Sequence, residues 1–224
     1  MTRTTVMNRR YRASASGRGL LGLANRVLGY IVAITFTGII GCGDDDPPPE
    51  ESAASTRNHL LWKRAHAVEQ DFARALDLAP EAVCTELGSL SCVQRVHLAS
   101  LGGHDPFAQG LYRPVDRPLV TTPLVLDRVA LAACGQRVTL DREGDAVVFT
   151  AIALDGEAPA ADSAAYRDTV TTLYRRFLAR DPVDAEFDAL TELLVDGDGD
   201  PIAADEFATL ACFTVSTTTE FLFL

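Results

Sequence analysis

Apolar residues recur at helical spacing along several stretches of the chain. Leu61, Ala65, Val68, Phe72 and Leu76 step by four, three, four and four, and Trp62 and Ala75 widen the stripe. The spacing predicts an amphipathic helix within residues 59–78 whose apolar face packs into a core. Pro80 suits the start of a short helix that Gly88 interrupts, and a second short helix carrying Val93, Val96, Leu98 and Leu101 stops at Gly102 and Gly103. A glycine- and proline-rich loop follows to Pro118. Thr122-Pro123 then opens a helix whose Leu124, Val125, Leu126, Val129, Leu131, Ala132 and Ala133 nearly encircle it, which predicts burial at the centre of a bundle.

The next stretch reads two ways. RVTL and AVVFTAIAL, within residues 137–154, flank Asp141-Arg142-Glu143-Gly144-Asp145, a pattern that fits a small β-hairpin or a buried irregular connection. Beyond it, Tyr166, Val170, Leu173, Tyr174 and Phe177 form one helical stripe and Val183, Phe187, Leu190 and Leu194 another; Phe207, Leu210, Ala211 and Val215 mark the last helix. Asp181-Pro182 and Asp200-Pro201 precede two of these helices, where a carboxylate can cap free amides and proline tolerates the first helical position. The predicted fold class is mainly α, a compact helical bundle over residues 59–224 with room for one small β-hairpin. The apolar end, Glu220-Phe221-Leu222-Phe223-Leu224, is expected to fold into that domain; contact with a protein or membrane is the alternative.

Ahead of the bundle, Arg3, Arg9, Arg10, Arg12, Arg18 and Arg26 precede an uncharged run of 14 residues, 27–40, too short for an ordinary membrane-spanning helix of roughly 20 residues. A basic flank and an apolar run of that length suit a secretory signal. The run ends in Ile39-Ile40-Gly41-Cys42, which resembles the lipobox of bacterial lipoproteins. The resemblance implies a signal peptide over residues 1–41, cleaved before Cys42, with acyl chains on the Cys42 thiol and on the new amino terminus. Asn8-Arg9-Arg10-Tyr11-Arg12 resembles a twin-arginine signal, but Arg12 and Ala13 stand where that signal favours apolar residues, so general secretion is expected. Residues 42–58 open with three consecutive aspartates and three prolines, which predicts a solvated acidic tether below the lipid. The expected location is outside the cytoplasm, lipid-anchored to a bacterial membrane whose identity and leaflet the residues leave open.

Charge narrows the partners. Removing the six leader arginines from the 20 basic residues leaves 14 against 31 acids, a net −17 for residues 42–224. Such a body repels phosphate backbones, and no nucleic-acid partner is expected. The expected partners are the membrane, through lipid on Cys42, and an envelope protein.

With Cys42 set aside, Cys84, Cys92, Cys134 and Cys212 remain. Export permits disulfides, and four cysteines allow three complete pairings. Cys84 and Cys92 flank the Gly88 break, which favours pairing them and linking Cys134 in the middle helix to Cys212 in the last; buried free thiols are the alternative. No CxxC or CxxCH is present, so neither a redox motif nor a covalent haem is indicated, and no cofactor is assigned.

Two metal readings stay open. Cys92, His97 and His104 supply zinc donors only if the fold gathers them, while His59 and His66 fit an exposed helix face. Asp196, Asp198 and Asp200 alternate with glycine as in a calcium loop, but Pro201 stands at the sharp-turn glycine position and Phe207 at the terminal glutamate, so a turn with Asp200 as a helix cap is expected. GxSxG, Walker A, HExxH and dinucleotide signatures are absent, and His97 with Ser100 lacks an evident third member, so no catalytic residue is assigned. LYRRFLARDP, residues 173–182, resembles a helical segment of uncharacterised exported proteins of large-genome Gram-negative bacteria, a likeness confined to residues 163–224 that implies no activity. The reading is an envelope-anchored helical scaffold or protein-binding lipoprotein, with an unrecognised extracytoplasmic enzyme and a calcium- or small-ligand-binding module as alternatives.

Overall fold

Six α-helices and one two-stranded hairpin organise residues 61–223, the part of the chain that the computed structural model describes. The expected signal peptide, the lipidation site at Cys42, the tether and His59 lie outside the described residues. Helix α1 spans Ala65–Leu76 and buries Ala65, Val68, Phe72, Ala75 and Leu76 of the stripe read from the sequence; Leu61 and Trp62, read into the same stripe, precede the helix, and Leu61 is exposed. It ends where Asp77 takes φ 52°, which lets the Asp77 and Leu78 amides both donate to the Ala73 carbonyl. A single tight turn, Pro80–Ala82, follows.

The hairpin lies at β1, Thr85–Glu86, and β2, Leu90–Ser91, paired antiparallel with Thr85 opposite Ser91 and Glu86 opposite Leu90. Gly88 therefore turns a hairpin and does not separate two helices; Leu87 and Gly88 both have positive φ there. A widened helical turn, Cys92–Val96, comes next, its first amides capped by the Ser91 hydroxyl, which accepts from Gln94 N–H at 3.0 Å.

Residues 137–154 do not form the alternative hairpin. Helix α2 runs unbroken over Thr122–Glu143, so RVTL and the first half of the expected turn are helical. The cause is visible one turn apart: Arg137 and Asp141 are both buried and paired at 2.6 Å, and the Asp141 carboxylate also accepts from the amides of Val147, Val148 and Phe149 at 2.8–3.0 Å. That carboxylate pins the irregular segment after the helix, seating Val148 and Phe149 in the core.

Helix α3, Ala164–Leu178, starts at Ser163, whose hydroxyl accepts from Tyr166 N–H. Helix α4, Asp184–Thr191, begins later than its aspartate–proline pair suggests: Asp181 pairs with Arg175, and Glu186 instead accepts from the Val183 amide at 2.8 Å. Helix α5, Ala204–Ser216, likewise starts three residues beyond Pro201, with Ala203 preceding it and no side-chain cap. Asp200 is therefore not a helix cap. A short α6, Thr219–Leu222, closes the fold.

Helices α2 and α5 face each other across the core and are joined by the Cys134–Cys212 disulfide; Ala130, Ala133, Ala208 and Ala211 permit the close approach. Phe221 of α6 sits edge-to-face with Phe72 and Phe177, ring centroids 5.2 and 5.0 Å away, so packing consumes the centre of the apolar carboxy-terminal segment. Beside it the Lys63 amide donates to the Leu222 carbonyl at 2.8 Å, and Trp62 bridges to Phe223. No helix among the described residues is long and apolar enough to cross a membrane.

Candidate functional site

The hairpin brings three potential ligand atoms together. Cys84 and Cys92 stand at its base, where the Cys92 amide donates to the Cys84 carbonyl at 3.0 Å and the two sulfurs are joined in a disulfide with Cα atoms 5.4 Å apart. Alternation along β1 skips Thr85 and returns Glu86 to the same side. One Glu86 carboxylate oxygen and both sulfurs consequently lie within 4.8 Å of one another. Cys84 and Cys92 are buried and Glu86 is partly exposed, so the sulfurs belong to the core and the carboxylate to its edge.

Two further side chains orient the carboxylate. His97, just past the widened turn, places Nε2 3.2 Å from Glu86 Oε1; Arg128, from the exposed side of α2, reaches the same oxygen through Nε at 3.1 Å and a terminal nitrogen at 2.9 Å. Burial by itself pushes the Glu86 carboxyl up, but hydrogen bonds from His97 and Arg128, reinforced by their charge, outweigh it and hold the group below the usual carboxylate range. Glu86 is thus an ionised, two-sidedly anchored acid beside a sulfur pair. As a disulfide, those sulfurs are neutral and shared with each other; as thiolates, they are soft donors suited to zinc-like ions.

The other candidates take different places. Asp196 uses Oδ1 to accept from the amides of Asp198 and Asp200 at 2.9 and 3.0 Å, and its own amide donates to the Asp200 carbonyl, a self-closed turn with Gly199 at φ 87°. Among the described residues, the carboxylates of Asp196, Asp198 and Asp200 do not gather around one point. His97 turns to Glu86, whereas Ser100 lies 3.4 Å from the Thr121 hydroxyl, so no hydrogen bond between described residues joins the suggested base and nucleophile. His104 lines a cleft with Arg64, exposed His66 and Gln94, and among the described residues it does not gather with Cys92 and His97 around one point.

Glu86 and Arg128 were not legible as site residues. Glu86 falls between two cysteines in CTELGSLSC, a segment whose central glycine signals a turn, and that was the one available cue; Arg128 arrives from 42 positions away. Elsewhere, the loop between residues 102 and 121 exposes Phe107, Tyr112 and Val120 almost fully, at 99, 78 and 96%. Comparison with protein-family models, with curated proteins and with solved structures finds no match, so the geometry alone carries the functional argument.

Proposed function

We propose that the body of this chain is a small-ligand-binding module, with a metal ion as the ligand class and Cys84, Glu86 and Cys92 as its centre. The observation that supports the reading is that the anchored Glu86 carboxylate lies within 4.8 Å of both sulfurs of the Cys84–Cys92 disulfide, which become ligands when that bond is reduced. Calcium fits poorly, because it takes six to eight oxygens and this centre supplies one carboxylate. Two thiolates and a carboxylate instead suit a four-coordinate zinc-type ion, with water completing the set, and His97 and Arg128 act as the outer partners that orient Glu86.

The lipobox resemblance at Cys42 and the acidic residues after it support delivery of this module to a bacterial envelope on a lipid anchor. The test is zinc titration of the full chain after thiol reduction, read by competition with a chromogenic chelator. One zinc per chain is expected, and Glu86→Gln should weaken binding about tenfold or more, the range in which loss of a carboxylate ligand falls well outside experimental scatter. A reduced, folded chain that takes up no zinc overturns the reading. For the anchor, intact mass should show residues 1–41 removed and acyl chains added, and Cys42→Ala should release the protein from membranes.

A scaffold role has its own supporting observation. The exposed Phe107, Tyr112 and Val120 form the apolar part of one loop, while the carboxy-terminal segment spends Phe221 in the core. An envelope protein partner would therefore engage that loop. Crosslinking from position 112 in isolated envelopes tests it: a single stoichiometric adduct is expected, and none is expected from a residue replaced near Phe221.

A further inference from the structure

Resting on the metal-binding reading, we propose that the Cys84–Cys92 disulfide is the regulator of that site: oxidation closes it, and reduction by a dithiol opens a zinc-type centre on the same two sulfurs. The argument begins with exclusivity. In the disulfide the two sulfurs share one bonding electron pair and carry no negative charge, which leaves Glu86 as the single anionic donor of the cluster. One carboxylate already held by His97 and Arg128 gives a soft cation nothing to exchange its water shell for.

Reduction changes the donor set without moving the backbone far. A dithiol transfers two electrons to the S–S bond and is itself oxidised to a disulfide, while its two protons finish on Cys84 and Cys92 as thiols. Zinc then displaces those two protons, giving two thiolates and Glu86 around the ion. The edges of a tetrahedron with zinc–sulfur bonds of 2.3 Å are about 3.8 Å. Donor atoms that already lie within 4.8 Å, on cysteines whose Cα atoms are 5.4 Å apart and tied by the Cys92 to Cys84 backbone hydrogen bond, need only side-chain rotation to reach that spacing.

The fold keeps the two disulfides distinct. Cys134 and Cys212 are fully buried between α2 and α5 and, among the described residues, no carboxylate gathers beside them, so their link holds the helices together while the hairpin pair switches. Cys84 and Cys92 are buried as well, at 4 and 0% exposure, and close a loop of sequence separation 8; what sets them apart is that Glu86 and His97, about one-fifth exposed, stand between them and solvent, so an ion or a reductant reaches the sulfurs by displacing those two side chains.

The experiment is a redox titration of the full chain against a dithiol and its disulfide, with and without free zinc fixed by a chelator buffer, the state of each cysteine being read by thiol labelling and peptide mass. Because zinc binds the thiol form alone, free zinc at 100 times its dissociation constant should raise the Cys84/Cys92 thiol-to-disulfide ratio about 100-fold at constant reductant. Cys134–Cys212 should not move. The Glu86→Gln chain, which keeps both cysteines, should show a much smaller zinc-induced shift. If the reduced chain binds zinc but the ratio shifts less than about threefold, regulation is refuted while the binding reading survives. If the reduced chain binds none, both fail. Reduction of Cys84–Cys92 only on unfolding of the whole domain also overturns the proposal.

Discussion

Replacing Asp141 by asparagine removes one charge and almost no volume, which makes it a sharp probe of how the end of α2 is held. The carboxylate is fully buried, lies 2.6 Å from Arg137 and accepts from three consecutive backbone amides, Val147, Val148 and Phe149. In the variant, the amide oxygen keeps part of that set, but the side-chain NH2 turns donors toward donors and Arg137 loses its counter-charge in the interior. Breaking a buried pair from one side costs about 3–5 kcal/mol. The reverse perturbation is milder. Arg137→Met leaves the Asp141 carboxylate accepting from three amides, and removes a guanidinium whose Nε finds no hydrogen-bond partner among the described residues and which otherwise gives up one long bond to the Asp77 carbonyl, so a loss of about 1–2 kcal/mol is expected. Urea unfolding should show the midpoint falling more for Asp141→Asn than for Arg137→Met, with unchanged slope. At about 2–4 °C per kcal/mol for a domain of this size, the thermal midpoints should differ by several degrees. Equal losses, or a larger loss from Arg137→Met, would refute the argument that the amides and not the arginine are the carboxylate's main support.

Three further outcomes follow from other parts of the fold. Loop-closure entropy assigns about 4.5 kcal/mol to Cys134–Cys212, of sequence separation 78, and about 2.5 kcal/mol to Cys84–Cys92, of separation 8, so the paired alanine replacement at 134 and 212 should lower the thermal midpoint more than that at 84 and 92. Gly102 has φ +66° and an added Cβ would meet the Trp62 ring at 2.7 Å, so Gly102→Ala should cost about 1–3 kcal/mol in chemical denaturation; Gly135→Ala, inside α2 with open space around it, should instead stabilise by about 0.4–1 kcal/mol. Glu86 has a folded-state pKa below its unfolded one, so its contribution to stability is complete above the ordinary carboxylate range and is lost as pH falls through the depressed value; acid titration of stability should bring the wild-type and Glu86→Gln curves together there, and curves that converge at alkaline pH would contradict the assignment.

Long periodic stripes carried the helical part of the fold. Val68, Phe72 and Leu76, and likewise Tyr166, Val170, Leu173 and Phe177, announce buried faces because each repeats a single contact every turn. The hairpin was hidden for the opposite reason: strands of two residues, Thr85–Glu86 and Leu90–Ser91, are too short to carry an alternation, and their pairing rests on the neighbouring disulfide and the Gly88 turn. Residues 137–143 misled because β-branched residues followed by charges resemble a strand and turn. The deciding interaction, Asp141 capturing amides six to eight positions ahead, is a tertiary choice that local propensity does not encode. The cysteine pairing was legible because Cys84 and Cys92 flank Gly88 at short separation, although the break that glycine marks is a hairpin turn and not a gap between helices, whereas the convergence of Glu86, His97 and Arg128 needed the fold to bring α2 against the hairpin.

The joint between the beginning and end of the described domain has a mechanical meaning. Tension on the chain ahead of Leu61 arrives first at Lys63, whose amide holds the Leu222 carbonyl, and at Trp62, bridged to Phe223. The load is therefore delivered to the last residues before it reaches α1. Lys63 also rests on the Phe221 ring at 3.9 Å while gripping Asp71 at 2.7 Å, so the two ends yield as one unit, and releasing them uncovers Phe72 and Phe177 together. A pull on one end of the described domain is felt as the loss of its other end.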